Sequence, residues 1–300
     1  GRLMAARRKK LFSPLCELQL PSHCGPCSLS ACLFVLGISA TQRRLAAAAG
    51  KPVSVFIHGL DEVGLRRAAR AFGVKSEFVL FDDRSRGKEF ARRLRTHLRQ
   101  GNPAILLTRY FDHWVAVIGY LGPQRKFIIV DPKQESAVFS RWSEAGLLKR
   151  AWNSSTEESS YEPDQYFAIL LSRRDGQPAK WRVSEAWLRL CERGSADTAE
   201  GMARDLAEIA ALASSDEQLV EEGPYLAEVL EENEELILDS ITHWASGNGR
   251  LTRGELRAFY RDYTTVASTT GIRIAPDANH VALVSQLTSV LCSYWWGARF

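Results

Sequence analysis

Two β-rich runs, His113 to Tyr120 and Lys126 to Val130, are separated by Leu121-Gly122-Pro123-Gln124, which is turn chemistry. Such a pair closes as an antiparallel hairpin, and the two-residue period of a strand then fixes which side chains meet. With Gly122 at the centre of the connection, His113 stands directly across from Asp131. Cross-strand neighbours have Cβ atoms roughly 5 Å apart, which suits an imidazole–carboxylate hydrogen bond. The alternation also puts Trp114, Ala116, Ile118 and Tyr120 on one face. A slip of one residue would break the His113–Asp131 pairing.

Far upstream, Cys24-Gly25-Pro26-Cys27-Ser28-Leu29 opens a helical pattern in which Leu29, Cys32, Leu33 and Leu36 recur at helix spacing. Pro26 suits a first turn and Gly37 sits where a C-terminal cap belongs. Cys24 therefore lies at a helix N-terminus, where unpaired N–H groups and the positive end of the macrodipole favour an anionic nucleophile. Cysteine, histidine and carboxylate in this order read as nucleophile, base and orienting group. Cys24-Gly-Pro-Cys27 is also the signature of thioredoxin-type oxidoreductases, but no apolar strand leads into Cys24, and no βαβ pattern surrounds it. No second CxxC or HxxxH exists to complete a zinc site, so neither metal nor cofactor is expected. Cys32, Cys191 and Cys292 read as packing residues, and Cys27 reads either way. Asp112 reads as a solvated loop carboxylate and His97 as part of a basic helix, while His23 and His58 are the substitutes for the base.

Gln19, Cys24-Gly25-Pro26, the Leu29 to Gly37 helix, His113 and Asp131-Pro132 together resemble papain-like cysteine peptidases of the bacteriocin-processing (double-glycine leader) kind and their stand-alone relatives. Leu45 to Gly50 and Gly59 to Gly73 resemble the second helical segment of that family, and the likeness spans about residues 13–172. The resemblance implies a Cys24–His113–Asp131 triad acting through an acyl-enzyme, with Gln19 and the Cys24 backbone N–H as oxyanion donors. Gln19 stands one residue nearer the cysteine than the family usually places its glutamine. A peptidase acting on a protein or peptide is thus the first expectation. A transacylase or amidase using the same triad is the alternative, as is a catalytically dead binding module, with redox function behind both.

Helical segments near 41–49, 60–72 and 87–100 precede strands at 76–81, 103–108, 113–120, 126–131 and 166–172. That order predicts an α+β catalytic domain, a helical lobe facing an antiparallel sheet. Asn153 to Asp164 reads as an exposed loop, and Asn153-Ser154-Ser155 is a glycosylation sequon relevant only to a secreted chain. Arg173 to Pro178 reads as a linker, and 183–213, 225–244, 253–266 and 279–296 all show helical spacing. The expected organisation is a basic extension (1–12), the catalytic domain (13–175) and an all-helical docking or specificity domain (176–300). Asp216 to Asp239 holds ten acidic residues and no Lys or Arg, an amphipathic helix with a solvated acidic face. Ser246 to Glu255 resembles an EF-hand loop, but Trp244 would fill its first ligand position, so a metal-free helix–loop–helix is expected. Tyr294-Trp295-Trp296 reads as helix packing or a partner anchor.

Residues 1–150 carry 26 Lys+Arg against 11 Asp+Glu, and residues 151–300 carry 13 against 24. The simplest account is that the halves attract or are separately solvated; the sharper one is that the basic half draws in an acidic peptide. The Arg-rich helix lacks a nucleic-acid motif, so no nucleic acid partner is expected. Without a signal peptide, a transmembrane run or a regular disulfide framework, and with a free thiol required, the chain is expected in the cytoplasm or delivered into a reducing cytosol, for example as an effector or toxin.

Overall fold

The computed structural model describes residues 15, 19–133, 139–154, 163–177, 179, 181, 182, 184–193, 201–203, 205, 206, 209, 223–244 and 252–297. The basic run Arg7 to Lys10, most of the 246–255 loop, the middle of the loop after Asn153, residues 216–222 of the acidic segment, and the side chains of Cys191 and Tyr294-Trp295-Trp296 lie outside them. The chain divides into two compact units, one spanning Pro14–Val183 and the other including Ser184–Phe300.

In the first unit, α1 (Cys24–Val35) is the central helix, and all twelve of its residues are buried. Its polar side chains are satisfied within the protein. Ser28 Oγ donates to Trp114 O at 3.0 Å, Ser30 Oγ to Ala40 O at 2.7 Å, and Cys32 Sγ to Ala104 O at 3.4 Å. Leu29, Leu33 and Leu36 have no exposed surface, and a fully buried leucine contributes about 1.5–3 kcal/mol. The helix ends as Gly37 predicts: at φ 76° this residue donates to Phe34 O (2.8 Å) while Ile38 N donates to Leu33 O (2.9 Å). That is a Schellman closure, which a Cβ would strain. Helices α2 (Gln42–Ala48), α3 (Val55–His58) and α4 (Glu62–Ala71) follow.

The sheet comprises β1 (Val74–Phe81), β2 (Ala104–Thr108), β3 (His113–Leu121), β4 (Lys126–Val130), β5 (Ser140–Ser143), β6 (Trp152–Asn153) and β7 (Gln165–Arg173). Its order is β1-β7-β2-β3-β4-β5, with β6 paired to β7, and every pair is antiparallel. β1, β2, β3, β4 and β7 fall where the sequence predicts, whereas β5, β6 and the helix between them, α6 (Glu144–Ala151), were not expected. Helix α5 (Gly87–Arg99) and α6 cover the face opposite α1: Phe90, Leu94, Leu98, Leu147 and Ala151 share a core with Leu106, Val115, Val117, Phe127, Ile129 and Ala168. The sheet is thus covered on both faces rather than on one. This is why Ala104-Ile105-Leu106-Leu107-Thr108 is apolar without alternation and entirely buried.

The β3–β4 register departs from the expected one. Leu121 pairs with Lys126 and Tyr120 with Phe127, but Val117 pairs with Ile129 and Ala116 with Val130, so a bulge lies between Val117 and Gly119. An extra residue on one strand bends it and reverses the facing of the residues beyond it. Tyr120 consequently packs with Val115 and Val117 on the α5 side, not with Trp114 and Ala116. Continued unbulged, the turn-proximal register would set Asp131 opposite Ala116, on the face away from His113. With the bulge, the register carried one residue past β4 sets Asp131 opposite Val115, on the same face as His113 and two residues along.

Asn153 is not in an exposed loop. It is fully buried in β6, its Oδ1 accepting from Phe111 N (3.0 Å) and its Nδ2 donating to Leu107 O (3.2 Å) and Ala151 O (3.0 Å). The folded chain therefore presents no glycosylation acceptor there. The start of the expected linker is also tied down further than its composition suggests, since Arg174 N donates to Gly73 O and Arg173 Nη1 to Leu36 O, each at 3.0 Å.

In the second unit, helices run over Glu185–Arg193, Leu226–Glu232, Glu234–Trp244, Arg253–Thr270 and His280–Gly297. Leu230, Ile237, Ile241, Leu256, Tyr260, Leu283 and Leu287 are buried, and Tyr260 donates its hydroxyl to Leu230 O at 2.6 Å. Among the acidic residues, Glu235 and Asp239 pair with Arg253, and Glu234 with Arg257, so part of the acidic face is neutralised inside the unit. Thr252 and Glu255 form a capping box, the Glu255 carboxylate accepting from Thr252 N at 2.6 Å. No helix among the described residues is long and apolar enough to cross a membrane.

Candidate active site

Three elements converge on one cleft. Cys24 is the first residue of α1, His113 the first residue of β3, and Asp131 immediately follows β4. His113 Nε2 lies 2.7 Å from Asp131 Oδ1. The Cys24 side chain lines the same cleft as this ring and is near enough to help raise its pKa. His113 and Asp131 are nearly buried, their side chains 3% and 9% exposed. Burial disfavours the charged ring, but the hydrogen bond to Asp131 and the negative charge of Asp131 and Cys24 outweigh it, so His113 is held above the ordinary imidazole range. For Asp131, burial pulls upward and is overcome by the His113 hydrogen bond, the Lys133 N–H at 3.0 Å and the positive charges of His113 and Arg109, so its carboxyl is lowered. Arg109 Nη2 stands 3.7 Å from Asp131 Oδ2.

The turn before His113 is unusual. Arg109, Tyr110 and Phe111 all have positive φ (57°, 56° and 68°), a conformation costing non-glycine residues about 1–2 kcal/mol each. The Asn153 side chain on Phe111 N and the Thr108 hydroxyl donating to His113 O at 3.0 Å hold it in place. The turn brings Arg109 to Asp131 and puts Phe111 and Asp112 into the cleft wall.

The cleft encloses about 660 Å³ and is lined by Cys24 and His113 together with Gln19, Leu107, Trp114 and Phe167 on one side and the 57–62 segment on the other. Trp114 Nε1 donates to Leu60 O at 3.0 Å, fastening that segment to the sheet. Gln19 N donates to Pro132 O at 3.1 Å, which moors the segment ahead of Cys24 beside the Asp131 turn. Gln19 Oε1 is buried without a hydrogen-bond partner. No cluster of three or more His, Cys, Asp or Glu that could hold a metal occurs among the described residues.

Residues 12–160 match the description of the Peptidase_C39 like family. This segment is a papain-like cysteine peptidase of that family. Among solved structures, the peptidase domain of Streptococcus ComA, a bi-functional ABC transporter involved in quorum sensing, is 18% identical with a TM-score of 0.38, covering 55% of this chain and 98% of that one. A double glycine motif protease from an AMS/PCAT transporter, solved in complex with the leader peptide, is 14% identical with a TM-score of 0.37, covering 56% and 96%. A search among curated proteins returns no match.

The remaining sequence-marked residues of the peptidase fall outside the constellation. His23 is buried and its Nδ1 lies 2.7 Å from Pro21 O, with the ring edge-on to Phe56. His97 Nε2 lies 3.0 Å from Leu171 O, and burial lowers its pKa. His58 lines the cleft. Burial pushes the Cys32 thiol far up, in keeping with a packing role. Asp112 is an exposed turn residue, as the sequence suggests, and it also lines the cleft. Gln165, which carries no motif in the sequence, is another cleft residue; its only signal is a polar residue at the head of an otherwise apolar strand.

Proposed function

We propose that this peptidase cleaves peptide bonds through a Cys24–His113–Asp131 triad and an acyl-enzyme intermediate. The observation that carries the reading is the His113 ring, hydrogen-bonded to the Asp131 carboxylate at 2.7 Å and lining one cleft together with Cys24 at the head of its helix. As thiolate, Cys24 adds to the carbonyl carbon and His113 delivers its proton to the leaving nitrogen. The acyl-enzyme then yields to water deprotonated by the same ring. Asp131 holds the ring with Nε2–H toward itself and supports the imidazolium. Gln19 and the Cys24 N–H are the oxyanion donors, a role supported by the mooring of Gln19 to Pro132 and by its place beside Cys24 in the cleft lining.

The substrate is a peptide segment entering the cleft extended. Its walls carry Glu62 and Asp112 against Lys133, with Asp61 already paired to Lys51 at 2.8 Å. The positive charge of the first 150 residues is therefore not expressed beside the scissile bond, and an acidic substrate is not what these walls favour. N-terminal proteomics of cells expressing wild type against Cys24→Ala tests the reading. New protein N-termini that depend on Cys24 are expected, and His113→Ala abolishes them too. A His113→Ala enzyme with wild-type turnover overturns the assignment of the base; cross-linked products instead of new N-termini overturn hydrolysis.

A further inference from the structure

Gln165 opens β7, and the strand's alternation divides its neighbours: Tyr166, Ala168 and Leu170 belong to the core under α5 and α6, whereas Gln165 and Phe167 line the cleft. Gln165 is 6% exposed and its Oε1 is shut off from solvent with no hydrogen-bond partner among the described residues. A buried acceptor left unpaired costs about 1–3 kcal/mol, and an apolar residue would fit this β-strand at no such cost. The strand is held in place around it, since Gln165 pairs across to Asn153 and Phe167 to Leu80. Gln165 thus sits on rigid backbone in the lining of the cleft that holds Cys24 and His113, and a rotation of its side chain is what would present Oε1 to a peptide there.

We infer that Gln165 is a substrate-positioning residue whose Oε1 accepts a main-chain N–H of the bound peptide. The main chain is the donor because every residue of an extended peptide offers one, whatever its side chain, and an unpaired amide oxygen in the cleft wall is the acceptor it needs. The inference rests on the peptidase reading above and adds a contact that the triad does not use.

The test separates recognition from thiol chemistry. Acetyl-Gly-Gly-chloromethyl ketone alkylates a cysteine thiolate by forming a C–S bond and releasing chloride, and with no side chains its recognition rests on the main chain. Chloroacetamide performs the same displacement without a peptide. Wild type is expected to react faster with the peptidyl reagent, and Gln165→Leu to lose at least fivefold of that preference while its chloroacetamide rate at Cys24 stays within twofold. Replacing one glycine at a time by sarcosine removes one N–H. One such replacement is expected to slow wild type to the level of Gln165→Leu and to have no further effect on the variant. Gln165→Glu, which keeps an acceptor, retains most of the preference. The melting temperature of Gln165→Leu holds or rises, because the variant removes an unpaired buried polar atom; a structural role predicts a fall instead. An unchanged preference in Gln165→Leu, or no preference in wild type, overturns the inference. A wild-type Cys24 that fails to react even with chloroacetamide overturns the peptidase reading itself.

Discussion

Asp131→Asn is the substitution that best separates the charge of the carboxylate from its shape. Asparagine keeps an oxygen where Asp131 Oδ1 now sits 2.7 Å from His113 Nε2, and the Lys133 N–H can still donate to it at 3.0 Å. What disappears is the negative charge. Hydrogen bonds involving a charged partner contribute about 1.5–3 kcal/mol against about 1 kcal/mol for neutral ones, so the imidazolium loses roughly 1–2 kcal/mol of support. At 1.36 kcal/mol per factor of ten, kcat/KM on the plateau falls about 5- to 30-fold, well short of the loss in Cys24→Ala. The direction of the pH effect comes from the ring. His113 is raised by Asp131 and Cys24 against its burial, so removing one support lets it deprotonate sooner and the alkaline limb moves to lower pH. Stability has the same sign. The contribution of His113 is fully present below the ordinary value of 6.5 and fades as pH rises through its raised folded value. That of Asp131 is present above 3.8 and fades as pH falls through its lowered one. The pair therefore stabilises the fold most between these two reference values, and Asp131→Asn flattens the urea midpoint across that range. The assay is the rate of Cys24 alkylation by iodoacetamide from pH 4 to 10, read beside peptide turnover. An alkaline limb that superimposes on wild type would refute the placement of charge argued from the geometry.

Trp114→Phe removes the donor to Leu60 O. A buried carbonyl left unpaired costs about 1–3 kcal/mol, so the melting temperature falls and KM rises more than kcat drops, as the 57–62 wall loosens. Asn153→Ala breaks three buried hydrogen bonds at the turn before His113; a loss of roughly 3 kcal/mol in urea unfolding is expected, with alkylation of Cys24 slowed as His113 shifts. Incubation with EDTA is expected to leave peptide turnover and iodoacetamide sensitivity unchanged, and a loss restored by added zinc would reinstate metal chemistry.

The order of helices and then strands was legible because each long element carries its own period: α1, α4, α5, β1, β2 and β7 all lie where the pattern put them. The short elements were not. β5, β6 and α3 span four residues or fewer, too few to show a period, although α6 announced itself through Ser143 as N-cap, accepting from Gly146 N at 3.1 Å. In the site, Cys24 could be placed from helix signals alone. The contact between His113 and Asp131 was expected for the right residues and the wrong register. The hairpin turn is longer than a centre at Gly122 allows, and the bulge beside Ile118 then compensates for the parity error. Val117-Ile118-Gly119 is apolar throughout, and only the isolated Gly119 hinted that the ladder would break there. Gln165 and Asn153 escaped because polar residues beside turns look solvated until the packing around them is known.

Sequence proximity of Trp114 to His113 explains how a helix and a strand more than eighty residues apart hold a sulfur within reach of a ring. The Trp114 carbonyl accepts from Ser28 Oγ, one turn beyond Cys24, and its indole nitrogen reaches Leu60 O, so one residue is bonded to both α1 and the opposite wall of the cleft. Its ring edge sets the spacing as well. A Cβ built on Gly25 would lie 3.3 Å from Trp114 Cδ1 and from Leu65 Cδ2, tighter than ordinary contact, so glycine beside the nucleophile is what lets α1 approach the sheet this closely. The separation of Cys24 from His113 is then fixed by backbone-anchored contacts in the buried core rather than by flexible side chains at the surface. A catalytic constellation gains its precision from such supporting contacts, since a residue held by packing cannot drift from the reacting atoms.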